Sequence, residues 1–156
     1  MRIVVDTNVV FSAILNSDGK IGDLLLNSKR IIKFYSVEYL RYEIRNHYDK
    51  LSKISKQSVD KICNTEYFVT KEIEFISEEQ IAESYWKSAY KLVKDVDLDD
   101  IAFVALSKHL KCKLWTGDGV LIRGLHKNRF LNTISTDELL KYRTDKENKN
   151  GRQYGI

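Results

Sequence analysis

Proline is absent from this 156-residue chain and cysteine occurs only twice. The missing proline carries no functional inference. Cys63 and Cys112 form no metal-type spacing and fit buried thiols in a reducing cytoplasm. No apolar run approaches the roughly 18–20 residues of a membrane span. The N-terminus reads as a strand carrying Asp6 rather than a charged leader before a long apolar stretch, so no signal peptide is expected. A strong excess of one charge is also lacking. Lys and Arg total 26 against 22 acids, a net +4, which many proteins without a nucleic-acid partner match. Length and composition, 43% hydrophobic and 31% charged, suit one ordinary globular domain with a real core.

Where the charges fall says more than their sum. Four short segments place an acid where a strand ends or a helix begins: Met1–Asn8, Tyr42–Ile44, Asp97–Ala105 and Leu114–Asp118. Carboxylates gathered in one place repel, so a fold that collects several usually does so around a cation. Hard oxygen ligands, with no His/Cys set beside them, select Mg²⁺ or Mn²⁺ over zinc. The basic side chains must then lie elsewhere. A negative pocket rimmed by Lys and Arg suits a polyanion that reacts only where a metal bridges it. Arg123 and Lys127 are candidates to grip a phosphate backbone.

The pattern along the chain alternates strands with helices. Strands are expected at Ile3–Val5, Ile31–Tyr35, Ile73–Ile76, Cys112–Trp115 and Thr133–Ser135. Helices are expected over Val9–Leu15, Ile21–Leu26, Ser55–Phe68, Asp99–Leu110 and Thr136–Tyr142. Ser36 reads as the N-cap of a helix running through Glu43 toward Leu51, and Ser77 opens another to about Lys94. This predicts an α/β domain, a central parallel sheet between two helical layers, over residues 1–145. Residues 146–156 lack periodicity and read as a flexible C-terminal tail. Ligands in such sheets sit beyond the carboxyl ends of the strands, where Asp6 and Asp118 would both face.

Each acid has two readings. Asp6 is either a metal-bridging carboxylate or a cap for the helix that follows it. Asn8 either orients Asp6 or forms a local turn. Glu43 lies beside the stripe Leu40, Ile44, Leu51 that marks the buried side, although a lone helical Glu is usually solvated; His47, one turn later, could hydrogen-bond it. Asp97, Asp99 and Asp100 crowd one helix start, where complementing the dipole is worth up to about 1 kcal/mol each. Three acids within four residues exceed what capping needs. Asp100 would face the pocket, with Asp97 or Asp99 as cap or auxiliary ligand. In Thr116-Gly117-Asp118 the acid is a fourth ligand or an ordinary turn residue, and Thr116 could orient a water or phosphate oxygen. No base-stacking motif stands out among Tyr35, Tyr39, Trp86 and Trp115, which read as core or interface residues.

Together these residues resemble the PIN-domain family, in particular its VapC-like toxin group. Asp6-Thr7-Asn8 after the first strand, Glu43, Asp100 opening a helix with Ala105, and Thr116-Gly117-Asp118 carry the resemblance over nearly the whole chain. Asp99-Asp100 with Phe103 resembles a subgroup regarded as toxin components. The resemblance implies a metal-dependent endoribonuclease that acts on RNA, dimerises and is often neutralised by an antitoxin. It implies that Asp6, Glu43, Asp100 and Asp118 are the catalytic and metal-holding residues, with Asn8 and Thr116 supporting them. A catalytically silent PIN-like module that binds RNA or an antitoxin would look almost the same. A phosphoryl-transfer domain also puts acids at strand ends. A phosphatase of that kind would want a second Asp where Asn8 stands, and a receiver would want a phosphoacceptor and a Lys that this chain does not place.

Overall fold

Ile3, Val4 and Val5 have no exposed surface, as a strand covered on both faces requires, and the computed structural model puts them at the centre of the sheet. The structure describes residues 1–154, with side chains described through residue 151. Five strands, β1 (Arg2–Val5), β2 (Lys33–Val37), β3 (Ile73–Ile76), β4 (Lys113–Trp115) and β5 (Thr133–Ile134), form one parallel sheet in the order β3-β2-β1-β4-β5. The chain leaves β1 through β2 to β3, then crosses back to β4 and β5. Strand direction of travel therefore reverses between β1 and β4, and that crevice is where open α/β sheets take their ligands.

Helices cover both faces, the sandwich expected from the sequence. α1 (Thr7–Leu15), α2 (Lys20–Asn27), α3 (Tyr39–Asn46), α4 (Tyr48–Ser55) and α5 (Val59–Thr70) pack among themselves, and α9 (Thr136–Tyr154) packs on α2. On the other side α7 (Ile101–Leu110) lies across β1, β2 and β4, backed by α6 (Glu83–Val93), which also meets α8 (Gly119–Lys127). Phe103, Val104, Ala105 and Leu106 are all buried, so α7 is apolar nearly all round, as a helix laid on a sheet should be. Trp115 is fully buried against Phe34, ring centroids 5.8 Å apart, and its indole N–H donates to the Thr136 hydroxyl at 3.1 Å. None of the described helices is long and apolar enough to cross a membrane.

Four local expectations are corrected. Ser36 does not cap a helix. It lies buried in β2, and its hydroxyl donates to the Val5 carbonyl at 2.7 Å. The cap comes from far along the chain, the Glu78 carboxylate accepting the Tyr39 N–H at 2.6 Å. The helix after it breaks at His47 into α3 and α4. The helix assigned from Ser55 begins at Val59, with the Ser58 hydroxyl accepting from the Lys61 N–H at 3.2 Å. After Ser77 a short 3₁₀ turn (Glu78–Gln80) stops at Ile81, extended and buried, before α6 starts.

The tail expected from Lys146 is not separate in secondary structure, because α9 continues through Tyr154; residues 155–156 of that assignment lie outside the described residues. A capping box starts α9: Ser135 Oγ accepts from the Glu138 N–H while the Glu138 carboxylate accepts from the Ser135 N–H. An Arg143–Glu147 pair one turn apart helps carry it past residue 145. Cys63, expected as a buried thiol, is exposed on α5.

The Ser36 bond ties β2 to the end of β1, one residue before Asp6. Ser36→Ala leaves the Val5 carbonyl without that donor and is expected to cost about 1–2 kcal/mol. Urea denaturation reads this as a lower midpoint at unchanged slope.

Candidate metal centre

Asp6 follows β1 directly and is 1% exposed. Its Oδ1 caps α1, accepting the Val9 N–H at 3.0 Å. Its Oδ2 is buried and makes no hydrogen bond of good geometry, although the Thr116 hydroxyl is near enough to act on the carboxylate. Capping, one of the two readings the sequence offered, thus occupies one oxygen of the carboxylate and leaves the other free. Burial raises the Asp6 carboxyl to about 6, opposed by the neighbouring Thr116 hydroxyl and the Val9 N–H and reinforced by the charges of Asp118 and Glu43.

Glu43 reaches the same place from α3, whose Leu40 and Ile44 are wholly buried. The Thr7 hydroxyl donates to its Oε2. Burial raises its pKa, the Thr7 bond opposes this, and Asp99 adds to the rise. His47 lies on the same wall but is not Glu43's hydrogen-bond partner; Thr7 is.

Asp100 sits where the 3₁₀ turn Leu98–Asp100 runs into α7. Asp97 serves as the cap, its Oδ1 accepting the Asp99 N–H at 2.9 Å, so Asp100 makes no capping bond and its carboxylate is spare. Burial, then the charges of Asp6, Asp97, Asp118 and Glu43, push Asp100 up to about 7. Asp118 completes the group after β4. Its Oδ1 caps α8, accepting from Val120 at 2.8 Å and Leu121 at 3.1 Å. The Thr116 hydroxyl accepts the Asp118 N–H at 3.0 Å, which fixes the turn between strand and helix.

These side chains line one pocket of about 290 Å³ over the β1–β4 crevice, with Thr7, Asn8, Phe11, His47, Lys50, Asp97 and Asp99 on its walls and Asp6 buried beneath. Every sequence-singled acid is therefore at one place. Asn8 is on the wall, but the Val9 N–H, not Asn8, holds Asp6. Neither Arg123 nor Lys127 lines the pocket, and Lys127 stands in the last turn of α8, far from Asp118. The cation that does is Lys50, its Nζ 5.7 Å from the Phe11 ring centre. Lys50 stands two turns after Glu43, beyond the α3–α4 break.

Among the described residues no three Asp, Glu, His or Cys groups converge closely enough, as placed, to clasp one ion. The donor set is all hard oxygen, and a buried, partnerless carboxylate oxygen beside three more acids is a group whose missing partner a divalent cation would supply. The residues fit Mg²⁺ or Mn²⁺.

A protein-family model described as PIN domain matches residues 4–144. Among solved structures, a chain of VapBC2 from Rickettsia felis, crystallised bound to a DNA fragment from the promoter, superposes with a TM-score of 0.65 at 13% identity. The match covers 86% of this chain and 97% of that one. No curated protein matches the sequence.

Proposed function

This chain belongs to the PIN-domain family, and from that premise we propose that it is a metal-dependent endoribonuclease, the toxin of a toxin–antitoxin pair. The observation that carries the reading is Asp6 Oδ2, buried without a partner among Glu43, Asp100 and Asp118 at the sheet's switch point. The fold shared with the VapBC2 chain supports the antitoxin partner, family resemblance supports a homodimer, and the two unpaired cysteines support a reducing cytoplasm.

Asp6, Glu43, Asp100 and Asp118 would hold one or two Mg²⁺ or Mn²⁺ ions. Bound there, such an ion makes an attacking water acidic and shields charge on the phosphoryl oxygens. The chain's own groups set the stage. The Val9 N–H fixes Asp6 so that Oδ2 stays free, the Thr7 hydroxyl fixes Glu43, and two helix N–H groups fix Asp118. Thr116 supports the site by holding the turn at Asp118, and Asp97 by capping the turn that presents Asp100. Lys50 and His47 face the acids and can meet the phosphate backbone. Hydrolysis adds water across the P–O3′ bond and leaves a 5′-phosphate and a 3′-hydroxyl.

The test is cleavage of a mixed RNA pool with Mn²⁺, with EDTA, and by Asp6→Asn protein prepared in parallel. Fragments that need the metal and vanish in the variant are expected. Cleavage that persists in EDTA would overturn the reading.

A further inference from the structure

A second cavity, about 320 Å³, opens on the same rim of the sheet, past the ends of β2 and β3. That volume lies within the ~300–1,000 Å³ of small-ligand sites. Its walls are apolar and aromatic: Tyr39 from the start of α3, Trp86 from α6, Leu98 from the 3₁₀ turn before α7 and Ile101 from the start of α7. Two carboxylates break this wall, Glu78 and Asp99, and Asp99 also lines the acidic pocket. The two cavities therefore adjoin. Outside, the exposed Tyr42 ring stacks on Tyr39 with centroids 5.8 Å apart and planes 28° apart, so the aromatic surface continues into solvent.

Resting on the nuclease reading above, we propose that this cavity binds an unpaired base of the RNA strand next to the cut phosphate, and that Glu78 selects guanine. Aromatic walls hold any base by its face. Its edge meets the Glu78 carboxylate, which when ionised accepts and does not donate. Glu78 Oε1 already accepts from the Tyr39 N–H, which locks the side chain while leaving Oε2 and a further lone pair on Oε1. Guanine presents two adjacent donors, N1–H and the N2 amino group, that match the two oxygens of one carboxylate. Adenine and cytosine each set a ring acceptor beside their amino donor, and uracil flanks its single N–H with two carbonyls. Those acceptors would meet a carboxylate oxygen head on. Asp99 at the shared mouth adds to the same preference for donors.

The experiment reads Trp86 fluorescence in EDTA while the intact protein is titrated with each of the four nucleoside 5′-monophosphates. Trp115, the other tryptophan, is wholly buried and reports little. Saturable quenching is expected, tightest for guanosine monophosphate by about tenfold or more. Glu78→Gln keeps an oxygen for the Tyr39 N–H but replaces the other by an amino donor. That change should erase the guanine preference without unfolding the protein. Trp86→Phe, which keeps a stacking ring, should retain guanine-selective binding when binding is followed by the protein's amide NMR shifts. Quenching that ignores base identity, or a preference that survives Glu78→Gln, would overturn the proposal. So would absence of saturable binding. Because no metal is present, the result is independent of cleavage: a nuclease that cuts without guanine selectivity would sink only this inference.

Discussion

Replacing Asp6 with asparagine should lower metal-dependent RNA cleavage by at least about a hundredfold while making the metal-free protein more stable. The first effect follows because Asp6 supplies the buried, unpaired oxygen of the site; even groups that only orient metal ligands cost about 10–100-fold when removed. The second runs against the usual direction of core substitutions. Asp6 is buried with its carboxyl raised to about 6, so above that pH the folded chain holds a charge that burial and its acidic neighbours disfavour. With the folded value above the unfolded one, the folded state binds the extra proton between about pH 4 and 6. Metal-free stability is therefore lost as pH rises through that window. Asparagine removes the charge, and it caps a helix as well as aspartate does, so the Val9 bond survives. The gain at pH 8 is up to about 3 kcal/mol, from a shift of roughly two units. Thermal melts in EDTA at pH 8 and pH 4.5 measure this: the variant should lead at pH 8, and the lead should shrink at pH 4.5. A variant less stable than the parent at pH 8 would mean that Asp6 has a structural partner.

The residues that form the acidic pocket were legible because each is written locally. Apolar Ile3–Val5 running into Asp6, and Leu114–Trp115 running through Thr116 to Asp118, announce strand ends, and a parallel sheet brings such ends to one edge. Asp100 was legible from surplus, since Asp97 alone satisfies the cap. What escaped depends on partners distant in sequence. Ser36 looks like a helix cap until the Val5 carbonyl takes its hydroxyl, and the actual cap, Glu78, lies 39 residues from Tyr39. The break at His47 likewise has no proline or glycine to mark it. Trp115 is a core residue as expected, yet Tyr39 and Trp86 wall a cavity that exists only because α3, α6 and α7 converge. Aromatic residues scattered over a sequence cannot declare which of them will share a wall.

Acid should weaken metal binding far more steeply here than at an exposed carboxylate site. Asp6 stands at about 6 and Asp100 at about 7, both raised first by burial and then by neighbouring acids, whereas a free Asp titrates near 4. A divalent cation needs both ionised, so below these values it competes with two protons. At pH 8 neither proton interferes. By pH 5 the Asp100 proton alone lowers affinity about a hundredfold and the Asp6 proton about tenfold more, a total near 1,000-fold. Manganese titrations by calorimetry or electron paramagnetic resonance from pH 5 to 8 should follow that curve, approaching a slope of at least two protons per ion at the acid end. Asp100→Asn should reduce the slope, since its proton no longer competes, while Asp6 and Glu43, both raised by burial, remain to be deprotonated. An affinity that is flat from pH 5 to 8 would mean that the ion is held by carboxylates outside the buried pair. The same proton competition would give the raised values a role: the charges that disfavour one another in the pocket are the ones a bound cation would neutralise, so their repulsion would become affinity.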